Sequence, residues 1–130
     1  MFLIDTDIAS FAIKSQHGIA QRLLALGESQ WAISVITHHE LSYGISLKGV
    51  SPKTVSSCRR FLETSKVLEF DETASQAAAL VRKSLRELGR PNGHYGTLIA
   101  GHALGLGATL VSNNTKHFES VPGLKLENWV

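Results

Sequence analysis

Asp5, Glu40 and Asn114 are the side chains whose type and placement suggest metal chemistry. Asp5 closes the short apolar run Phe2-Leu3-Ile4, Glu40 stands near the start of a helix after a second apolar run, and Asn114 follows a late one. In an open parallel sheet such residues meet at the carboxyl ends of the strands. Carboxylates gathered there repel one another unless a cation lies between them. An all-oxygen set suits Mg²⁺ or Mn²⁺, which binds through one or two carboxylates and keeps several waters. Such an ion lowers the pKa of its water and neutralises charge on a phosphoryl group under attack. Each residue also has a purely structural explanation. Asp5 could cap a helix, Glu40 could complete a capping box with Thr37, and Asn114 could belong to a turn.

The elements that must position these residues follow from periodicity. Phe2–Ile4, 31–35, 67–70, 108–111 and 124–126 read as strands. Helical patterns fall between them: 17–27, stopped by Gly27; Thr37 to about Lys48; a segment opened by Ser51-Pro52 with Val55, Cys58, Phe61 and Leu62 on one face; and 72–88, capped by Asp71, with Ala74, Ala78, Val81, Leu85 and Leu88 inward. Gly89-Arg90-Pro91-Asn92-Gly93 is a break before a further helix over about 94–105. A short helical turn at 115–118 precedes the last strand. Alternating strands and helices predict an α/β fold, a mostly parallel sheet of four or five short strands flanked by helices. The 130 residues suit one domain over 1–130.

Composition narrows the classes further. Apolar residues make up 43% and charged residues 18%, which suits a folded globular chain rather than a disordered one. No apolar run is long enough to span a bilayer, and Met1-Phe2-Leu3-Ile4-Asp5 lacks the basic start of a signal peptide, so a cytoplasmic protein is expected. The single cysteine, Cys58, excludes an internal disulfide and a Cys-rich zinc site. A net charge of +2 permits contact with nucleic acid without demanding it. Lys14, Arg22, Lys48, Lys53, Arg59 and Arg60 are compatible with a phosphate-tracking stripe, though polar helix faces explain most of them. Trp31 and Trp129 read as core or sheet-edge aromatics.

Leu3-Ile4-Asp5-Thr6-Asp7-Ile8 resembles the opening motif of PIN-domain nucleases. Val35-Ile36-Thr37-His38-His39-Glu40-Leu41-Ser42-Tyr43-Gly44 is similar to their second motif. Thr97-Leu98-Ile99-Ala100-Gly101-His102-Ala103 and Leu110-Val111-Ser112-Asn113-Asn114-Thr115-Lys116-His117-Phe118 resemble the third and fourth, and the ending Val121 to Trp129 looks like the tail of VapC-type toxins. The likeness implies a PIN-like fold and a Mg²⁺-dependent (or Mn²⁺-dependent) endoribonuclease. It further implies the toxin half of a type II toxin–antitoxin pair that cleaves RNA, with tRNA the expected substrate. A homodimer neutralised by a VapB-type antitoxin, whose tail enters the acidic groove, is also implied. Asp5 and Glu40 resemble the metal carboxylates, Asn114 takes the fourth acidic position, and Ser112 stands for a threonine that positions metal or water. Lys116 and His117, just beyond, are placed to touch RNA.

One position departs from the pattern. The family has aspartate three residues before the isoleucine of the third motif, where this chain has Gly96. Glycine offers no ligand atom, so the metal site is expected to be short of one carboxylate and the nuclease attenuated or inactive. The alternative is a degenerate domain that only captures its antitoxin. Asp5-Thr6-Asp7 after a strand also suggests a phosphatase of the haloacid dehalogenase type, and Asp71 after a strand a phosphoacceptor domain. The lysine segments those folds require do not follow.

Overall fold

In the computed structural model, residues 1–90 and 94–130 are described. Five parallel strands form one sheet in the order β3-β2-β1-β4-β5: β1 Phe2–Ile4, β2 Trp31–Ser34, β3 Val67–Leu68, β4 Thr109–Val111 and β5 Lys125–Glu127. The chain first builds outward from β1 to β3, then crosses over to add β4 and β5 on the other side. That reversal makes the carboxyl ends of β1 and β4 a topological switch point, where open α/β sheets form their clefts.

The strands alternate between two cores, as a period of two residues requires. Leu3, Ala32 and Leu110 join Val81, Leu85, Ile99 and Phe118 on one face. Ile4, Ile33 and Val111 join Ile8, Leu23, Leu41, Cys58 and Trp129 on the other. The first core is covered by α5 (Glu72–Glu87) and α6 (His94–Leu106), the second by α1 (Thr6–Ile13), α2 (Ile19–Leu26), α3 (Val35–Ser46) and α4 (Pro52–Thr64); a short α7 (Thr115–Phe118) follows β4. Helices α5 and α6 pack so closely that a Cβ on Gly101 would lie 2.2 Å from Ala78 Cα. Trp129 is buried edge-on against Phe2, and Trp31 stacks on Phe61.

Several boundaries differ from expectation. Asp5 caps α1 directly, its side chain accepting from the Thr6 amide at 2.7 Å, so the acids lie at a helix start rather than in a loop. Helix α3 begins at Val35, earlier than its pattern indicates. Ser34 is its cap, accepting from the Ile36 amide at 3.1 Å, and Thr37 lies inside the helix. The Thr37–Glu40 spacing is therefore not a capping box. Leu88, expected inward, follows the end of α5 and is 48% exposed. Of the expected break, Pro91, Asn92 and Gly93 lie outside the described residues.

Candidate functional site

The switch point places the predicted residues together. Asp5, Asp7, Glu40, Gly96 and Asn114 line one open concavity of about 350 Å³ with Thr6, Ser10 and Phe118. Asp5 comes from the end of β1, Glu40 from α3, Gly96 from the first turn of α6, and Asn114 from the loop after β4. Ser112 sits beneath this surface, fully buried, and its hydroxyl donates to Asp5 Oδ2 at 2.8 Å. The same Ser112 oxygen accepts from the Asn114 amide at 3.0 Å, which fixes the loop that presents Asn114.

Two threonines tie the second acid to the first. Thr6 Oγ1 donates to Glu40 Oε1 at 2.7 Å and shares a further hydrogen bond with Thr37 Oγ1 at 3.1 Å. Thr37 and Glu40 are three residues apart on a helix, so both point to the same side and meet Thr6 there. Asp7 lines the same concavity, and both of its carboxylate oxygens are engaged by backbone amides. Its Oδ1 accepts from the Ile8 amide at 2.7 Å and its Oδ2 from the Asn113 amide at 3.2 Å, so it pins the loop. Thr6 and Asn113 carry no signal in the sequence beyond standing beside other site residues.

The electrostatics fit a cation. Burial, then the neighbouring Asp7 charge and, more weakly, Glu40, push the Asp5 carboxyl up to about 6 against the opposing bonds from Ser112 and the Thr6 amide. Burial also raises Asp7, opposed by its backbone amide bonds. Among the described residues no Lys, Arg or His side chain lines the concavity, so no positive charge there offsets these acids. Two carboxylates and an amide suit a hydrated Mg²⁺ or Mn²⁺, which keeps water ligands. The set is nonetheless thin. Among the described residues no group of three or more His, Cys, Asp or Glu side chains is placed to hold a metal, and Gly96 contributes no ligand atom where a further acid is expected.

The two residues expected to meet RNA lie outside the concavity. Lys116 is exposed. His117 packs edge-on against Phe118, and its Nε2 is closed off from solvent without a hydrogen-bond partner among the described residues. Burial lowers its pKa, as does Arg90. His117 is half-buried, packs on Phe118 and is not among the residues that line the concavity. The sequence gives no hint of buried His102, whose Nδ1 lies 2.8 Å from Ser34 Oγ, the cap of the helix that carries Glu40.

Parallel order 3-2-1-4-5 with acids at the switch point defines the class: residues 2–124 match the PIN domain, and the chain belongs to that family. Within it the chain falls among the VapC ribonucleases and is an endoribonuclease by lineage. It is 34% identical over 128 residues to the tRNA(fMet)-specific endonuclease VapC of Shigella flexneri, covering 98% of this chain and 97% of the relative. It is likewise 34% identical to Ribonuclease VapC2 of Rickettsia felis, over 99% of this chain and 98% of that protein. Among solved structures, VapBC2 from Rickettsia felis bound to a promoter DNA fragment superposes with a TM-score of 0.88 at 33% identity, covering 99% of this chain and 98% of that one. DNA-bound VapBC from Salmonella typhimurium also gives 0.88, at 34% identity and the same coverage.

Proposed function

We propose that this chain is a VapC-type endoribonuclease toxin whose metal site is weakened at Gly96. The observation that carries the reading is the convergence of Asp5, Glu40, Asn114 and Gly96 on one concavity from four separate elements. Asp5 and Glu40 would hold Mg²⁺ or Mn²⁺, with Asn114 adding a neutral oxygen. Ser112 keeps Asp5 oriented and favours its ionised form, while Thr6 does the orienting for Glu40. When bound, the ion supplies an acidified water and charge neutralisation at the scissile phosphate. The substrate class is RNA, with tRNA favoured by the tRNA(fMet)-specific relatives.

The partner is a VapB-type antitoxin, and the toxin itself acts as a homodimer. The VapBC complexes among its structural neighbours support the antitoxin. So does a cleft of about 870 Å³ beside α2 and α4, lined by Leu23, Leu24, Trp31 and Phe61, with Leu24 82% exposed. An apolar groove of this kind suits an amphipathic partner segment. Among the described residues no helix is long and apolar enough to cross a membrane.

Gly96 favours one second reading, a domain that captures the antitoxin without cutting. Calorimetry with Mn²⁺ beside an RNA cleavage assay separates the two. The nuclease reading expects weak but measurable Mn²⁺ uptake that Asp5→Asn abolishes. Antitoxin binding with neither uptake nor cleavage would select the binding module.

A further inference from the structure

We propose that the outer face of α5 at Arg82 and Arg86, continued past the end of the helix by Arg90, is the track on which the RNA phosphate backbone approaches the acidic site. The inference rests on the nuclease reading above and assigns the surface that holds its substrate.

The acidic concavity cannot hold RNA unaided, because its lining is carboxylate-rich and contains no cationic side chain among the described residues. Phosphates are repelled there until a cation is bound, so positive charge must be supplied from beside it. The neighbouring cleft between α5 and α6, of about 980 Å³, supplies that charge. Its walls carry Arg82, Lys83 and Arg86 from α5 and His94, Thr97 and Leu98 from α6. Arg82 and Arg86 are one helical turn apart, so their charges lie along one face and repel each other. Lys83 pairs with Glu87 at 3.8 Å, both exposed; among the described residues no carboxylate pairs with Arg82 or Arg86.

Two connections join this cleft to the site. Beyond Gly89, whose φ of 68° turns the chain, Arg90 bonds back to the Leu85 carbonyl and its guanidinium donates to the Lys116 carbonyl at 3.2 Å. That contact ties the end of the basic face to α7, directly after Asn114. On the other wall, the first turn of α6 presents His94 and Thr97 to the cleft and Gly96 to the acidic concavity. The first turn of α6 therefore stands between the cleft and the site, with His94 and Thr97 on one side and Gly96 on the other, so a backbone that crosses this turn reaches both. A polyanion fits this surface better than a second copy of the chain, since a two-fold contact would set like-charged faces against each other.

The test is binding of a fluorescently labelled RNA stem-loop, followed by anisotropy in EDTA so that nothing is cut, across a salt series. Arg82→Gln/Arg86→Gln is compared with the wild type and with Arg59→Gln/Arg60→Gln on α4. All four arginines are exposed, and glutamine is a good helix former. The track predicts about tenfold weaker binding for the α5 variant and a salt slope smaller by about 1.5, as loss of two phosphate contacts requires. The α4 variant is expected to match the wild type. If the wild type binds RNA and the α5 variant stays within about twofold, the track is wrong while the nuclease reading stands. A wild type that binds no RNA in EDTA overturns the track, and cleavage measured with Mg²⁺ then decides the nuclease reading separately. A change of oligomeric state in the α5 variant with RNA affinity intact would make this face a contact between copies, and would also overturn the track.

Discussion

Ser112 Oγ donates to Asp5 Oδ2 at 2.8 Å although 107 residues separate the two in the chain. Adjacent strands β1 and β4, paired in parallel with Ile4 beside Val111, make the contact possible by ending together. The bond favours the ionised carboxylate, working against the burial that disfavours it. Ser112→Ala is therefore expected to raise the Asp5 pKa further above about 6. It also leaves the Asn114 amide without its acceptor, and should cost about 1–3 kcal/mol of stability near neutral pH. Carboxyl-resolved NMR titration and urea denaturation measure the two effects.

Asp5 should make metal-free stability depend on pH in a defined direction. Its folded pKa lies near 6, above the ordinary 3.8, so the folded state holds the proton more tightly than the unfolded chain. This group's contribution is fully present below pH 3.8 and is lost as pH rises through 6. Asp5→Asn keeps an amide oxygen for the Thr6 cap and has no proton to lose. The variant should gain stability relative to the wild type as pH rises from about 4 to about 7, in EDTA. Mn²⁺ should reverse the order above pH 6 by stabilising only the wild type. Thermal melts at a series of pH values test this. A constant gap between the two proteins would contradict it.

His102 works in the opposite direction. Burial lowers its pKa, outweighing the nearby Asp71 charge and a backbone bond at Glu69, so the folded state favours the neutral ring. Ser34 Oγ accepts from the Ile36 amide and also lies 2.8 Å from His102 Nδ1, so the imidazole is tied to the cap of α3. Stability from this group is present above the unfolded value of 6.5 and is lost as pH falls. His102→Asn should cost about 1–3 kcal/mol at neutral pH, with the difference shrinking by about pH 5. Chemical denaturation at both pH values reads the change in the gap.

Two helical glycines should respond oppositely to alanine. At Gly101 a Cβ would meet Ala78 Cα at 2.2 Å, so α5 and α6 must separate. A loss of about 1–3 kcal/mol is expected. At Gly44, in α3, a Cβ meets nothing within 4 Å. There alanine should stabilise by about 0.5 kcal/mol through backbone entropy alone. Urea midpoints of the two variants provide the comparison.

Much of the architecture is legible locally, because strand runs and helix faces impose their own periods. Phe2–Ile4 ending at Asp5, and Ala74, Ala78, Val81 and Leu85 on α5, show this. Thr37 and Glu40 imitate a helix cap for a physical reason. The spacing that closes a capping box also puts two side chains on one side of a helix, here turned toward Thr6. Ser34 was the available signal for the true helix start, obscured by the strand-like Val35-Ile36 that follows. The bonds from Ser112 to Asp5 and from His102 to Ser34 span 107 and 68 residues, so only the assembled sheet and helices bring the partners together.

Position 96 is where the proposed metal site lacks a ligand, and restoring a carboxylate there tests the proposed weakening most directly. Gly96→Asp should place a further carboxylate on the rim already lined by Asp5, Glu40 and Asn114. RNA cleavage with Mg²⁺, measured side by side for the wild type and Gly96→Asp, is the decisive experiment. The expected result is cleavage by the variant at least about a hundredfold faster than by the wild type, with Mn²⁺ affinity raised by about tenfold or more. A variant that folds normally and remains as inert as the wild type, or a wild type that already cuts as fast, would contradict it.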